Sequence, residues 1–289
     1  MKNFVLAATV MALCALSFAE TPSATNIKNQ PETATAVTQG SAAQGASNNF
    51  TARPVCAFTF TSGHDETFFK DCVTANGNIV QLETPRGREH LAVADKIGEG
   101  YGICDTGGIE YFDYAQFGDS GNWNPATVVS QDATSVKIAR TTRDGIWTLT
   151  QTITQVAGTS PSAQIALTIT NNTGTQRDAV IFRYANVNAD SFFQNNFDAT
   201  RDSAFGWNST DGRDSHPLGF GLMLQNVGAT PFHHFAFILN VPDPPEPCNA
   251  FRHAVVGPII NTDGSFFLDY AIGLGGGQSR TVTVAYKGM

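Results

Sequence analysis

The sequence predicts an all-β protein, built as a large two-sheet, mostly antiparallel sandwich. Three observations carry that prediction. Apolar residues recur with period two: Ile165, Leu167 and Ile169 alternate with Ala166, Thr168 and Thr170, and Trp147, Leu149 and Ile153 oppose Thr148, Thr150, Thr152 and Thr154. Such alternation places one face of a strand on a core and the other in water. Turn signals punctuate these runs at Ala75-Asn-Gly77, Arg143-Asp-Gly145, Asn172-Thr-Gly174 and Thr262-Asp-Gly264. No segment carries a convincing helical period.

Taken in order, the chain of 289 residues opens on a secretory signal. Lys2 is a short positive region, Phe4 to Leu16 is apolar, and Ser17 and Ala19 are small residues before a cleavage point. Residues 1–19 are therefore set aside. A lipid anchor on Cys14 is disfavoured because Leu13 stands where a small residue is wanted. No later run reaches the ~18 apolar residues of a membrane span, so no integral membrane segment is expected in the mature chain. Residues 20–54 are rich in Ser, Thr, Ala, Gln and Asn. They offer too little apolar surface to offset the entropy of ordering, and read as a linker. Residues 55–289 remain as a single β-sandwich domain, with two smaller sandwiches in tandem as the rival reading.

Strands are expected near 55–60, 68–73, 79–84, 89–94, 100–104, 109–117, 127–132, 135–142, 146–157, 162–171, 178–188, 219–226, 233–240, 253–260, 266–273 and 279–287. The mature chain keeps four cysteines, Cys56, Cys72, Cys104 and Cys248. An even count in an oxidising compartment implies two disulfides, with three possible pairings. A hairpin centred on His64 would set Cys56 opposite Cys72, close enough to bridge, which leaves Cys104 for Cys248. None has CxxC spacing, which argues against zinc or redox chemistry.

The net charge is −8 and no basic run occurs. A nucleic-acid partner and an anionic membrane surface are both disfavoured electrostatically. Asn49-Phe-Thr51, Asn171-Asn-Thr173 and Asn208-Ser-Thr210 match the N-glycosylation pattern, which matters only in a eukaryotic secretory route.

Four segments together suggest a resemblance. They are Asp144-Gly-Ile-Trp-Thr-Leu-Thr-Gln151, Ile165-Ala-Leu-Thr-Ile-Thr-Asn-Asn172, Ile181-Phe-Arg-Tyr-Ala185 and the Gly-rich turn and closing strand Gly275-Gly-Gly-Gln-Ser-Arg-Thr-Val-Thr-Val-Ala-Tyr286. The pattern resembles large secreted β-supersandwich proteins, an architecture shared by galactose mutarotase and several polysaccharide-active enzymes. It covers most of 55–289 and implies a fold. The mutarotases' catalytic His and Glu have no recognisable context in this chain, so their activity is not implied, and fold alone would not license it.

Several motifs read as structure. Gly118-Asp-Ser-Gly121 resembles the nucleophile loop of trypsin-like proteases. Asn122-Trp123 follow it where those proteases have Gly-Pro, and none of the histidines His64, His90, His216, His233, His234 and His253 has the right context. It is expected to be a turn. His233 and His234 point to opposite faces of a strand and cannot easily share a metal. Gly275-Gly-Gly277 precedes a strand and is a flexible turn, not a phosphate cradle. Val241 to Cys248 is a stiff, proline-dense loop that presents Cys248.

The richest segment runs from Asn186 to His216, expected to be a long irregular connection. Its Asn186, Asn188 and Asp190 alternate and offer three oxygen ligands, which raises calcium as a possible cofactor. The segment lacks an EF-hand's glycine and terminal glutamate. Trp207 and Trp123 are candidate sugar platforms, with Asp202 and Asp211 as hydroxyl partners. The leading expectation is a non-catalytic extracellular or cell-surface glycan-binding module. The alternatives are a carbohydrate-active enzyme (lyase, hydrolase or mutarotase-like isomerase) and a structural envelope protein.

Overall fold

The computed structural model describes residues 55–91, 98–208, 219–229, 232–255 and 257–289. These belong to one compact unit. Eighteen strands run through them, every pairing antiparallel.

A three-stranded sheet comes first: β1 (Phe58–Ser62), β2 (Phe69–Val73) and β3 (Ile79–Glu83). The six-stranded sheet contains β4 (Glu99–Asp105), β5 (Glu110–Asp113), β10 (Arg177–Asn186), β14 (His234–Leu239), β15 (Ala254–Val255) and β17 (Ser265–Leu274), in the order β15-β14-β17-β10-β4-β5. The nine-stranded sheet contains β6 (Thr127–Gln131), β7 (Ser135–Thr141), β8 (Trp147–Val156), β9 (Ser162–Asn171), β11 (Asn195–Ala199), β12 (Ser203–Trp207), β13 (Gly221–Asn226), β16 (Ile259–Thr262) and β18 (Ser279–Gly288). Its order is β16-β11-β12-β13-β18-β9-β8-β7-β6. This is the mostly antiparallel two-sheet sandwich that the alternation predicts.

The period-two rule is visible strand by strand. Val136, Ile138, Leu149, Ile153, Ile165, Leu167 and Ile169 are buried, and their neighbours in sequence lie nearer solvent. From the facing sheet, Tyr101, Ile103, Ile181, Leu268 and Tyr270 complete the core. At ~25 cal/mol per Å² of apolar surface, this interlayer is the main source of stability.

Several expectations need correction. The 186–216 connection is not irregular throughout, because it contains β11 and β12. Asn195-Asn-Phe-Asp-Ala199 and Ser203-Ala-Phe-Gly-Trp207 are five residues each, too short for a clear alternation, and β11 pairs with β16, which is distant in sequence. The strand expected at 109–117 stops at Asp113 and turns through a short 3-10 segment, Ala115–Phe117. The strand expected at 253–260 is divided among a one-turn helix α1 (Ala250–His253), β15 and β16. The strand expected at 89–94 falls partly outside the described residues, and Glu89 makes only an isolated bridge to Glu83.

Both disulfides form with the expected partners, Cys56–Cys72 and Cys104–Cys248. The expected hairpin register does not. Thr59, not Cys56, pairs with Cys72, and Cys56 lies before the first paired residue. The bridge closes because the chain folds back there, with Cα atoms 5.4 Å apart. Two glycosylation patterns are engaged by the fold. Asn171 is fully buried and donates to the carbonyls of Thr175, Leu274 and Gly275. Asn208 is buried and accepts from Phe220 N at 2.6 Å.

Candidate functional site

Polar groups buried between the sheets were not foreseen from the sequence. Arg183 on β10 and Glu99 on β4 are both fully buried. Arg183 Nε and Nη2 donate to the two carboxylate oxygens of Glu99, Nη1 to Gln151 Oε1 at 2.7 Å and Nη2 to Gly77 O at 3.1 Å. Tyr286 Oη and Ile79 N donate to the same carboxylate. Burial pushes the Glu99 carboxyl upward, and the Arg183 charge opposes that push. Gln151 Nε2 also donates to Asn76 O. Asn76 Nδ2 reaches Asp113, which pairs with Arg140 at 2.7 Å. These groups are closed to solvent and satisfied by one another, so they act as an interlayer brace and not as a site.

The opening to solvent lies where the ends of β13 and β14 meet the turn before β12. Asp202 sits in that turn and His234 is the first residue of β14. His234 Nε2 meets Asp202 Oδ1 at 2.5 Å, while its Nδ1 faces Phe232 O at 3.1 Å. Asn226 Nδ2 approaches His234 Nε2 at 3.2 Å, and Tyr270 Oη donates to Asn226 Oδ1 at 3.0 Å. The His234 ring lies on the Tyr270 ring, with centroids 5.6 Å apart. His234 is almost closed off, at 9% side-chain exposure, whereas the Asp202 side chain is 58% exposed. The carboxylate is thus the accessible member, and the buried imidazole fixes it in place.

The same turn is bonded along β14, with Ala236 N donating to Arg201 O at 3.0 Å. Strand alternation sends Phe235 to the opposite side from His234, onto the outer face of the six-stranded sheet. There the Arg201 guanidinium lies 5.6 Å from the Phe235 ring centroid. Phe235 begins a row of rings that continues through Phe237 to Phe251 and Phe267. Phe235 and Phe251 are each 44% exposed. Asp269, also on this outer face, accepts from Phe235 N at 2.9 Å. Burial raises its carboxyl to about 7.

The sequence-predicted residues are dispersed. Asp202 is at this opening. Trp207 is half-buried at the far end of β12. Trp123 is 3% exposed, wedged edge-on between Tyr101 and Tyr111, so it is a core residue and presents no face to a sugar. Asp211 and His216 lie outside the described residues. Asn186 and Asn188 are buried, with Asn186 Oδ1 and both amide atoms of Asn188 lacking hydrogen-bond partners. Asp190 does not continue their alternation. It has φ 54 in a 3-10 turn, and its carboxylate is held by Arg88 at 2.6 Å. Among the described residues, no group of three or more His, Cys, Asp or Glu is placed to hold a metal ion. His233 is exposed and His234 buried, on opposite faces as expected.

Gly118–Gly121 is a turn. Asp119 Oδ1 accepts from Gly121 N, and Ser120 Oγ accepts from Phe112 N and Asn122 N. The proline-dense loop is anchored by Tyr184 Oη to Pro242 O, by Tyr114 Oη to Pro245 O, and by the Cys248 bridge. No helix among the described residues is long and apolar enough to cross a membrane.

The His234–Asp202 contact was missed because their partnership is tertiary. The one sequence signal was a histidine opening an apolar strand.

No family model matches this chain, and no curated protein matches it. Solved structures do. A bacterial glucoamylase complexed with acarbose aligns over 86% of this chain with 10% identity and a TM-score of 0.51; the chain spans about a third of it, 34%. A putative aldose 1-epimerase from Escherichia coli K12 aligns over 80% of this chain and 99% of its own, with 13% identity and a TM-score of 0.44. A galactose mutarotase-like protein from Lactobacillus casei aligns over 80% of this chain and 100% of its own, with 11% identity and a TM-score of 0.40. At 10% identity the likeness to the glucoamylase is one of fold alone.

Proposed function

We propose that this protein is a secreted, non-catalytic glycan-binding domain, with its binding surface at the Asp202–Phe235 opening. One observation carries the reading. The turn that carries an exposed carboxylate, Asp202 fixed by the buried His234 imidazole, also lays Arg201 against the exposed Phe235 ring. Sugars present both C–H faces and hydroxyls, and this pairing of apolar ring and fixed acceptor meets both needs. Arg201 adds N–H donors for sugar hydroxyls next to Phe235. The glucoamylase that shares the fold is a complex with acarbose, which agrees with a carbohydrate ligand. Two disulfides and an apparent leader sequence agree with secretion. The platform differs from the one the sequence suggested: Phe235 takes the part given to Trp123 and Trp207.

The test is a glycan array probed with the full chain, followed by titration of the best ligand. Phe235→Ala is expected to weaken binding about tenfold or more, at ~1.4 kcal/mol per decade. Asp202→Asn is expected to weaken it similarly, and Trp207→Ala to leave it unchanged. Unchanged affinity in both Phe235→Ala and Asp202→Asn would remove the proposal.

The enzymatic reading is favoured by one feature, the His234–Asp202 contact itself. Acid–base catalysis would need a second ionisable group facing the same opening. Asp269 shares the Phe235 face, but it is only 4% exposed and its carboxylate accepts from Phe235 N. Turnover of any array ligand that is lost in His234→Gln would favour this reading over the first.

A further inference from the structure

A second concavity lies at the opposite end of β13 from His234 and Asp202, roughly 17 Å away at ~3.4 Å per strand residue. It is an open pocket of about 220 Å³. Its walls come from five separate pieces of chain. Glu66 belongs to the turn between β1 and β2; Thr84 and Pro85 follow β3; Thr159, Ser160 and Pro161 form the β8–β9 turn; Phe220 precedes β13; Gly288 ends β18 and Met289 follows it.

The lining is amphipathic in a particular way. Pro85, Pro161, Phe220 and Met289 supply apolar faces, whereas Thr84, Thr159 and Ser160 supply hydroxyls. Among the described lining residues Glu66 is the one ionisable side chain, and none of them is a cation that would attract an anion. The volume is below the ~300–1,000 Å³ of sites for drug-sized ligands. It suits one six-membered ring. The walls are held firmly. Phe220 N donates to Asn208 Oδ1, and the Arg88 guanidinium lies 4.2 Å from the Phe220 ring. Met289 exchanges two backbone hydrogen bonds with Gly221. A Cβ on Gly288 would come within 2.7 Å of Thr84 Cγ2, so a side chain there would press on the pocket wall.

We propose that this pocket is a separate binding site for a single neutral pyranose unit. The prolines and Phe220 pack against the C–H face of the ring, and the threonine and serine hydroxyls meet its hydroxyls. The site is independent of the Asp202–Phe235 opening.

Met289 provides the readout, because it lines the pocket while Met223, on β13 between the two sites, serves as an internal reference. The full chain, labelled with ¹³C at methionine methyls, is titrated with the methyl glycosides of glucose, galactose and mannose. A saturable shift of the Met289 signal is expected with at least one of them. Ser160→Trp and Thr159→Trp, both on the exposed β8–β9 turn, fill the pocket and are expected to abolish that shift. Phe235→Ala is expected to leave it intact, which separates this site from the first. No saturable shift with any of the three glycosides would overturn the proposal. A shift that persists in both filled variants, with the Met223 signal native, would overturn it equally.

Discussion

Arg183 and Glu99 form a two-pronged ion pair from which water is excluded, and the Asn76–Gly77 turn ties it to a second buried pair, Arg140–Asp113. The four charged groups and the amide of Gln151 link both large sheets to the strand pair β2–β3. Breaking one partner of such a pair leaves a buried charge uncompensated. Arg183→Met is therefore expected to destabilise the domain by about 3–5 kcal/mol in denaturant unfolding. Arg183→Met with Glu99→Leu should recover a large part of that loss. A double variant as unstable as the single would refute the brace.

Gly77 is the hinge of this network. Its φ is 91, and a Cβ there would lie 2.4 Å from Gln151 Nε2. Gly77→Ala is expected to cost at least ~1 kcal/mol from backbone strain alone, plus displacement of Gln151 from Arg183. Thermal melting checks this, and an unchanged midpoint would show that the turn relaxes freely.

Two carboxyls set a pH dependence. Burial raises both Asp71 and Asp269 to about 7. Each is protonated in the folded protein over a range where the unfolded chain has released the proton. Their contribution to stability is complete below about pH 4 and is lost as pH rises to about 7. His90, lowered to about 4 by its burial, works in the opposite sense and loses stability on acidification. Asp71→Asn and Asp269→Asn isolate the first effect. Each should melt higher than the parent at pH 8, with the difference shrinking towards pH 4. A difference independent of pH would contradict the assignment.

The Cys104–Cys248 bridge closes a loop of 144 residues and fastens the proline-dense segment to β4. Replacing both cysteines with alanine should cost roughly 2–5 kcal/mol. The loss should be accompanied by increased protease cleavage within residues 241–253, and uniform resistance there would argue that Tyr114 and Tyr184 suffice as anchors.

Calcium at Asn186, Asn188 and Asp190 would have to compete with Arg88 for the Asp190 carboxylate. Calcium and EDTA are accordingly expected to leave the melting temperature of the full chain unchanged. A calcium-dependent rise that Asp190→Asn removes would establish the metal site instead.

The sequence by itself determined the fold class. Period-two alternation in 135–141, 147–156 and 162–171 encodes which face of each strand is buried, and that choice is local. It also determined the cysteine partners, although not the register that joins them, because a bridge tolerates a three-residue offset when the chain folds back. Tertiary structure decided everything that depends on which strands become neighbours. β11 and β12 exist because β13 and β16 complete their hydrogen bonds. Trp123 is core because Tyr101 and Tyr111 close over it. Arg183 meets Glu99, and His234 meets Asp202, across 84 and 32 residues of intervening sequence. A buried charge is tolerable only beside its partner, and no spacing in the chain records that meeting.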